Sequence, residues 1–132
     1  MKRFLIVLAA VIAGSVVLCR AGLALFVHAM MQADSYPTFM ADYHLNGSRS
    51  YDEAKRAFSD FIAKTFPIGS DANHAISQIT KGGFQVARSG SEIVFAWKRH
   101  SGPCSEQYSI IINENADGRI AKIVGQLRPI CL

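Results

Sequence analysis

Two cysteines close the last third of this chain, Cys104 after Gly102-Pro103 and Cys131 one residue from the end. Thiols attack, ligate metals or join to each other, and the neighbouring residues decide among these. His100 stands four residues before Cys104 and raises a Cys-His nucleophile pair. The four histidines, His28, His44, His74 and His100, show no H-x₃-H or H-E-x-x-H spacing, so we expect them to be scattered and to hold no metal. Asp52, Glu53 and Asp60 share one segment, where helix capping and a solvated face explain them and no second acidic cluster stands opposite. Gly82-Gly83 lacks the following lysine of a phosphate cradle. The chemistry left is a disulfide between Cys104 and Cys131. It would consume the thiol, and we expect no catalytic residues and no cofactor.

A disulfide needs an oxidising compartment, and the amino-terminal third supplies one. Met1-Lys2-Arg3 is followed by FLIVLAAVIAGSVVL and, after Cys19-Arg20, by AGLALFVHAMM. Cleavage near Cys19-Arg20-Ala21 would leave a secreted or periplasmic domain with GLALFVHAMM exposed to water, which is unfavourable. Retention buries it, because about 20 apolar residues span a bilayer. Residues 4–31 are therefore expected to cross the lipid, with Arg20 and His28 snorkelling toward the far interface. Lys2 and Arg3 hold the start in the cytoplasm, which places the rest in the periplasm as a single-pass inner-membrane protein.

Lys2, Arg3 and Arg20 belong to the anchor, so 11 of the 14 basic residues face all 10 acidic ones in the exported part. That near balance, with no arginine-rich run, argues against a nucleic-acid partner.

The expected organisation is an anchor or uncleaved signal over 1–33, a linker over 34–49 and an exported domain over 50–132. Ser50-Tyr51-Asp52-Glu53 is a capping box opening an amphipathic helix through Phe58, Phe61 and Ile62, stopped before Pro67. A shorter helix runs from Ser70 or Asp71 to Lys81, ended by Gly82-Gly83 through positive φ. The period then changes to two in FQVAR, EIVFAWKRH, QYSIIIN and GRIAKIVGQL, with Asp117-Gly118 as a hairpin turn. The fold class is α+β: an N-terminal transmembrane helix, then two helices on a three- or four-stranded antiparallel meander. Cys104 and Cys131 lie equidistant from the Asp117-Gly118 turn, so the hairpin and the bridge predict each other.

From Phe66 onward the chain resembles the SmpA/OmlA (BamE-like) family of small periplasmic domains. Phe66-Pro67-Ile68-Gly69-Ser70, the short helix, Gly82-Gly83-Phe84 and the strands around Asp117-Gly118-Arg119-Ile120 carry the likeness. The resemblance implies a two-helix, antiparallel-sheet layout and a role in envelope protein assembly. Lipidation is not carried over, because Leu18 precedes Cys19 and Arg20 follows it.

The expected function is a non-enzymatic, membrane-tethered module that binds an envelope protein. Trp97, Lys98 and Arg99 are taken as an exposed edge for that partner. The alternative is an inhibitor or sensor domain for an exported enzyme or small ligand.

Overall fold

The computed structural model describes residues 2–43, 50–102 and 104–131, without the side chains of 2–10, 30, 101 and 131. His44 and the Asn46-Gly47 pair of the expected linker lie outside the described residues. The chain divides into two compact units, Met1–Gln32 and Ala33–Leu132.

The first unit is one helix, α1, Lys2–Met31. Its stretch Val11–Ala29 has a mean hydropathy of 1.9 and is long and apolar enough to cross a membrane. Val11, Leu18, Leu25 and Phe26 on it are all exposed. The Ser15 hydroxyl donates back to the carbonyl oxygens of Val11 and Ile12 (2.8 and 3.0 Å), which removes a bare donor from an apolar stretch.

The second unit contains α2 (Tyr51–Thr65), α3 (Ala72–Lys81) and strands β1 (Gln85–Ser89), β2 (Glu92–Ser101), β3 (Cys104–Glu114) and β4 (Ile120–Cys131). The strands form one antiparallel sheet in the order β1-β2-β3-β4, so the α+β meander is present with four strands. The capping box forms as expected: Glu53 N donates to Ser50 Oγ, and Ser50 N donates to Glu53 Oε2 at 2.8 Å. At α3 the cap is Asp71 alone, whose Oδ1 accepts from the amides of Asn73 and His74. Ser70 instead donates its hydroxyl to the Pro67 carbonyl. Of the two glycines after α3, Gly83 takes positive φ (86°). Gly82 is required for space, since a Cβ there would lie 2.8 Å from the Phe39 ring.

The hairpin joining β3 to β4 explains the cysteine arithmetic in detail. Gly118 N donates to the Asn115 carbonyl and Asn115 N to the Arg119 carbonyl, with Gly118 at φ 72°. This is a three-residue loop of a type I turn followed by a left-handed glycine. The register then slips by one beyond Glu114↔Ile120, so Asn113 faces Lys122 and Ala121 is the extra residue of a β-bulge. The bulge reverses the alternation of faces, and both Ile120 and Ile123 reach the core side. It also sets the pairing of Cys104 with Cys131 as register partners.

One face of the sheet packs on α2 and α3. Phe58, Ile62 and Phe66 meet Ala75 and Ile79, and beneath them lie Ile93, Phe95, Tyr108, Ile110, Ile112, Ile120 and Leu127. Gly125 lets α2 approach β4, because a Cβ there would stand 2.9 Å from Ile62 Cγ1 and 3.2 Å from the Phe58 carbonyl.

The segment expected as a linker instead sends its large apolar side chains into this core. Met40 and Tyr43 are buried, and Tyr36 and Phe39 pack against them. Tyr43 lies edge-on to Phe58 at 5.5 Å, and Phe39 stacks between Phe66 and Phe84 at 5.8 and 5.7 Å. Its aromatics carry no helical or strand period, so only the surface they cover reveals their burial. The second unit accordingly begins at Ala33, not at residue 50.

Candidate functional site

The described residues with the densest polar contacts lie where β2 and β3 run beyond the end of β1. Strand alternation sends Trp97 and Arg99 to the helix side and Lys98 to the other face. The expected contact residues Trp97, Lys98 and Arg99 thus divide between the two faces of the sheet. Trp97 is packed among Phe84, Tyr108 and Tyr36, with centroids 5.6, 5.3 and 6.3 Å away. Arg99 is committed to an ion pair, and β2 is an interior strand.

Arg99 Nη1 donates to Glu106 Oε2 at 3.0 Å, with the two side chains only 12% and 16% exposed. The same carboxylate oxygen accepts from the Tyr108 hydroxyl at 2.7 Å. Arg99 Cζ sits 4.2 Å over the Tyr36 ring, and its Nε donates to the Asp34 carbonyl at 2.8 Å. The Tyr36 hydroxyl lies 3.4 Å from that of Tyr108. One arginine therefore satisfies a largely buried carboxylate while stacking on the chain segment that enters the domain.

Asp34 completes the arrangement from the exposed side. Its amide donates to the His100 carbonyl at 3.0 Å. Its Oδ2 accepts from the His100 amide at 2.9 Å and lies 3.1 Å from Nδ1 of the same histidine. The His100 amide above all, and then the imidazole, hold the Asp34 carboxyl below the usual carboxylate range. Burial, followed by its hydrogen bonds to Tyr36 and Glu106, pushes the Tyr108 phenol well above its ordinary value. Burial does the same, less strongly, to Tyr36. The hydrogen bonds of Asp34 and the Arg99–Tyr36 stack together act as a latch fixing residues 34–36 to the sheet.

His100 thus faces Asp34, a partner the sequence reading did not identify because 66 residues separate them. The remaining described histidines are dispersed: His28 on α1, and His74 on α3 within 2.9 Å of Gln78. No cluster of three or more metal-ligating side chains occurs among the described residues. Of the helix carboxylates, Asp52 pairs with Lys55 at 3.8 Å and Glu53 closes the capping box.

The sheet face opposite the helices carries a second set of residues. Register places Lys98, Gln107 and Arg128 in one rung across β2, β3 and β4, and Val94, Ile111 and Val124 in another. A shallow depression of about 420 Å³ at the margin of this face is lined by Gly83, Gln85, Ala96, Trp97, Lys98, Gln107 and Ile130. Strand alternation alone could have assigned Lys98 to this face.

No family model matches the chain, and neither a curated protein nor a solved structure matches it.

Proposed function

We propose that this chain is a membrane-tethered interaction module of the cell envelope, non-enzymatic and tied by a Cys104–Cys131 disulfide. In this reading α1 crosses the inner membrane once, its amino terminus lies in the cytoplasm, and residues from Ala33 onward face the periplasm. The observation that carries it is the register pairing of the two cysteines at the ends of β3 and β4, in a unit that starts directly after an apolar helix. Opposed residues of an antiparallel pair have Cα atoms about 4.5–5.5 Å apart, within the span of about 7 Å that a disulfide tolerates. Cysteines so placed in a small exported domain ordinarily join.

The partner is an envelope protein, and the sheet face opposite α2 and α3 is the surface for it, where the Ala96-Ser109-Gln126 rung separates the apolar Val94-Ile111-Val124 rung from the cationic Lys98-Gln107-Arg128 rung. A role in envelope assembly follows the SmpA/OmlA resemblance.

Intact-mass measurement of protein from its natural host tests the anchor and the bridge together. The expected mass retains residues 1–33 and is two hydrogens below the reduced chain. Two free thiols at positions 104 and 131 would overturn the compartment and the disulfide. A photo-crosslinking residue at Gln107 is expected to capture an envelope protein, and the same residue at exposed Asp60 is not.

A further inference from the structure

The two edges of the sheet are treated differently. Along β4, the bulge at Ala121 and Pro129 interrupt the outward groups. Its start is already occupied, with Gly69 N donating to the Ile120 carbonyl and Ile120 N to the Ser70 carbonyl. The other edge, β1, has none of these features. All five of its residues are exposed, it contains neither proline nor a bulge, and among the described residues no backbone outside β2 bonds to it. Val86 lies 47% exposed there.

The direction of the β1 backbone follows from the latch. His100 turns its amide and carbonyl to Asp34, away from β3, so Glu92, Val94 and Ala96 turn theirs the same way, toward β1. Their partners Ser89, Ala87 and Gln85 point back, which leaves the amides and carbonyls of Val86 and Arg88 directed outward. An antiparallel strand that satisfies them must oppose its own outward-facing residues to these two. β1 itself does so in a register centred on Ala87. Val86 of each copy then faces Arg88 of the other, Ala87 meets Ala87 with no crowding, and Gln85 meets Ser89. No like charges oppose one another, and Arg88, 3.8 Å from Glu114 of its own copy, already has an acidic partner there.

We propose that β1 pairs with β1 of a second copy of this chain, joining two meanders into one continuous sheet about a two-fold axis through Ala87. The strand is short, so the pairing relies on the high local concentration of copies held in one membrane by α1. It does not depend on the compartment of the domain or on the state of Cys104 and Cys131.

Full-length protein carrying Cys19→Ser, reconstituted in phosphatidylcholine vesicles and mildly oxidised, tests the register. Ala87→Cys falls at a non-hydrogen-bonded pair, where Cα atoms approach to about 4.5 Å, and is expected to give at least five-fold more covalent dimer than Gln85→Cys or Ser89→Cys alone. Mixing Gln85→Cys with Ser89→Cys copies is expected to restore crosslinking. Arg88→Pro removes an outward amide without touching the β2 ladder and is expected to abolish the Ala87→Cys dimer. Equal crosslinking at all three positions, or none at Ala87→Cys, overturns the proposal. If Arg88→Pro disturbs folding, seen as loss of the native circular dichroism spectrum, the position dependence of the other variants decides.

Discussion

Asp34 and His100 exchange their backbone and side-chain groups across 66 residues of sequence. The Asp34 amide reaches the His100 carbonyl at 3.0 Å, while its carboxylate takes both the His100 amide at 2.9 Å and the imidazole at 3.1 Å. The contact fixes where the chain enters the domain, three residues after the end of α1. Asp34→Ala is expected to accelerate hydrogen exchange at the His100 amide and to lower the melting temperature. Because the folded state depresses the Asp34 pKa, its contribution is present above the ordinary carboxylate range and is lost as pH falls through the lowered value. Exchange at His100 should therefore rise in acid for the native chain and be flat with pH in Asp34→Asn, once corrected for intrinsic exchange. An unchanged profile in that variant would show that Asp34 does not govern the latch.

Arg99 and Glu106 are nearly buried together, so removing one strands the other. Arg99→Leu is expected to lower unfolding free energy by about 3 kcal/mol, read from urea titration. Adding Glu106→Gln should recover part of that loss, because the uncompensated charge is gone while the Tyr108 hydroxyl keeps an acceptor. A loss under about 0.5 kcal/mol, the level of an exposed pair, would contradict the burial argument.

Tyr108 supplies a prediction at the alkaline end. Its folded pKa is raised, so its contribution is complete below the unfolded value of about 10 and declines as pH rises beyond it. Stability should fall more steeply above that pH in the native chain than in Tyr108→Phe, which has no proton to lose there. Equal slopes for the two proteins would remove this assignment.

Gly125 sits under α2 with no room for a methyl group. Gly125→Ala is expected to destabilise by about 1–3 kcal/mol through overpacking, and Ile62→Val in the same chain to relieve part of it. Additive losses in the double variant would mean that the two positions do not compete for space.

The proposed bridge closes a long loop, and reduction is expected to remove about 3–4 kcal/mol of stability. Cys131→Ser should match the reduced native protein, and dithiothreitol should leave the variant unaffected.

Several of these features are written locally in the chain. Ser50 with Glu53, the glycine after α3 and the turn around Asp117-Gly118 each satisfy backbone groups within a few residues, so their chemistry is readable without a fold. The alternation of β2 is equally local, and it already separates Lys98 from Trp97 and Arg99. The pairing of Cys104 with Cys131 is also legible from the turn position. Its mechanism is not, since an odd loop plus one bulged residue at Ala121 produces the same sum as a symmetric turn.

Sequence alone thus determined the apolar helix, the two capped helices, the antiparallel meander and the cysteine register, because hydrogen bonds and periodicity over short spans specify them. Tertiary structure decided that Tyr36, Phe39, Met40 and Tyr43 belong to the core and that Asp34 finds His100. Those contacts form between segments with no shared period, and their free energy exists only once the sheet and helices have built the surface that receives them.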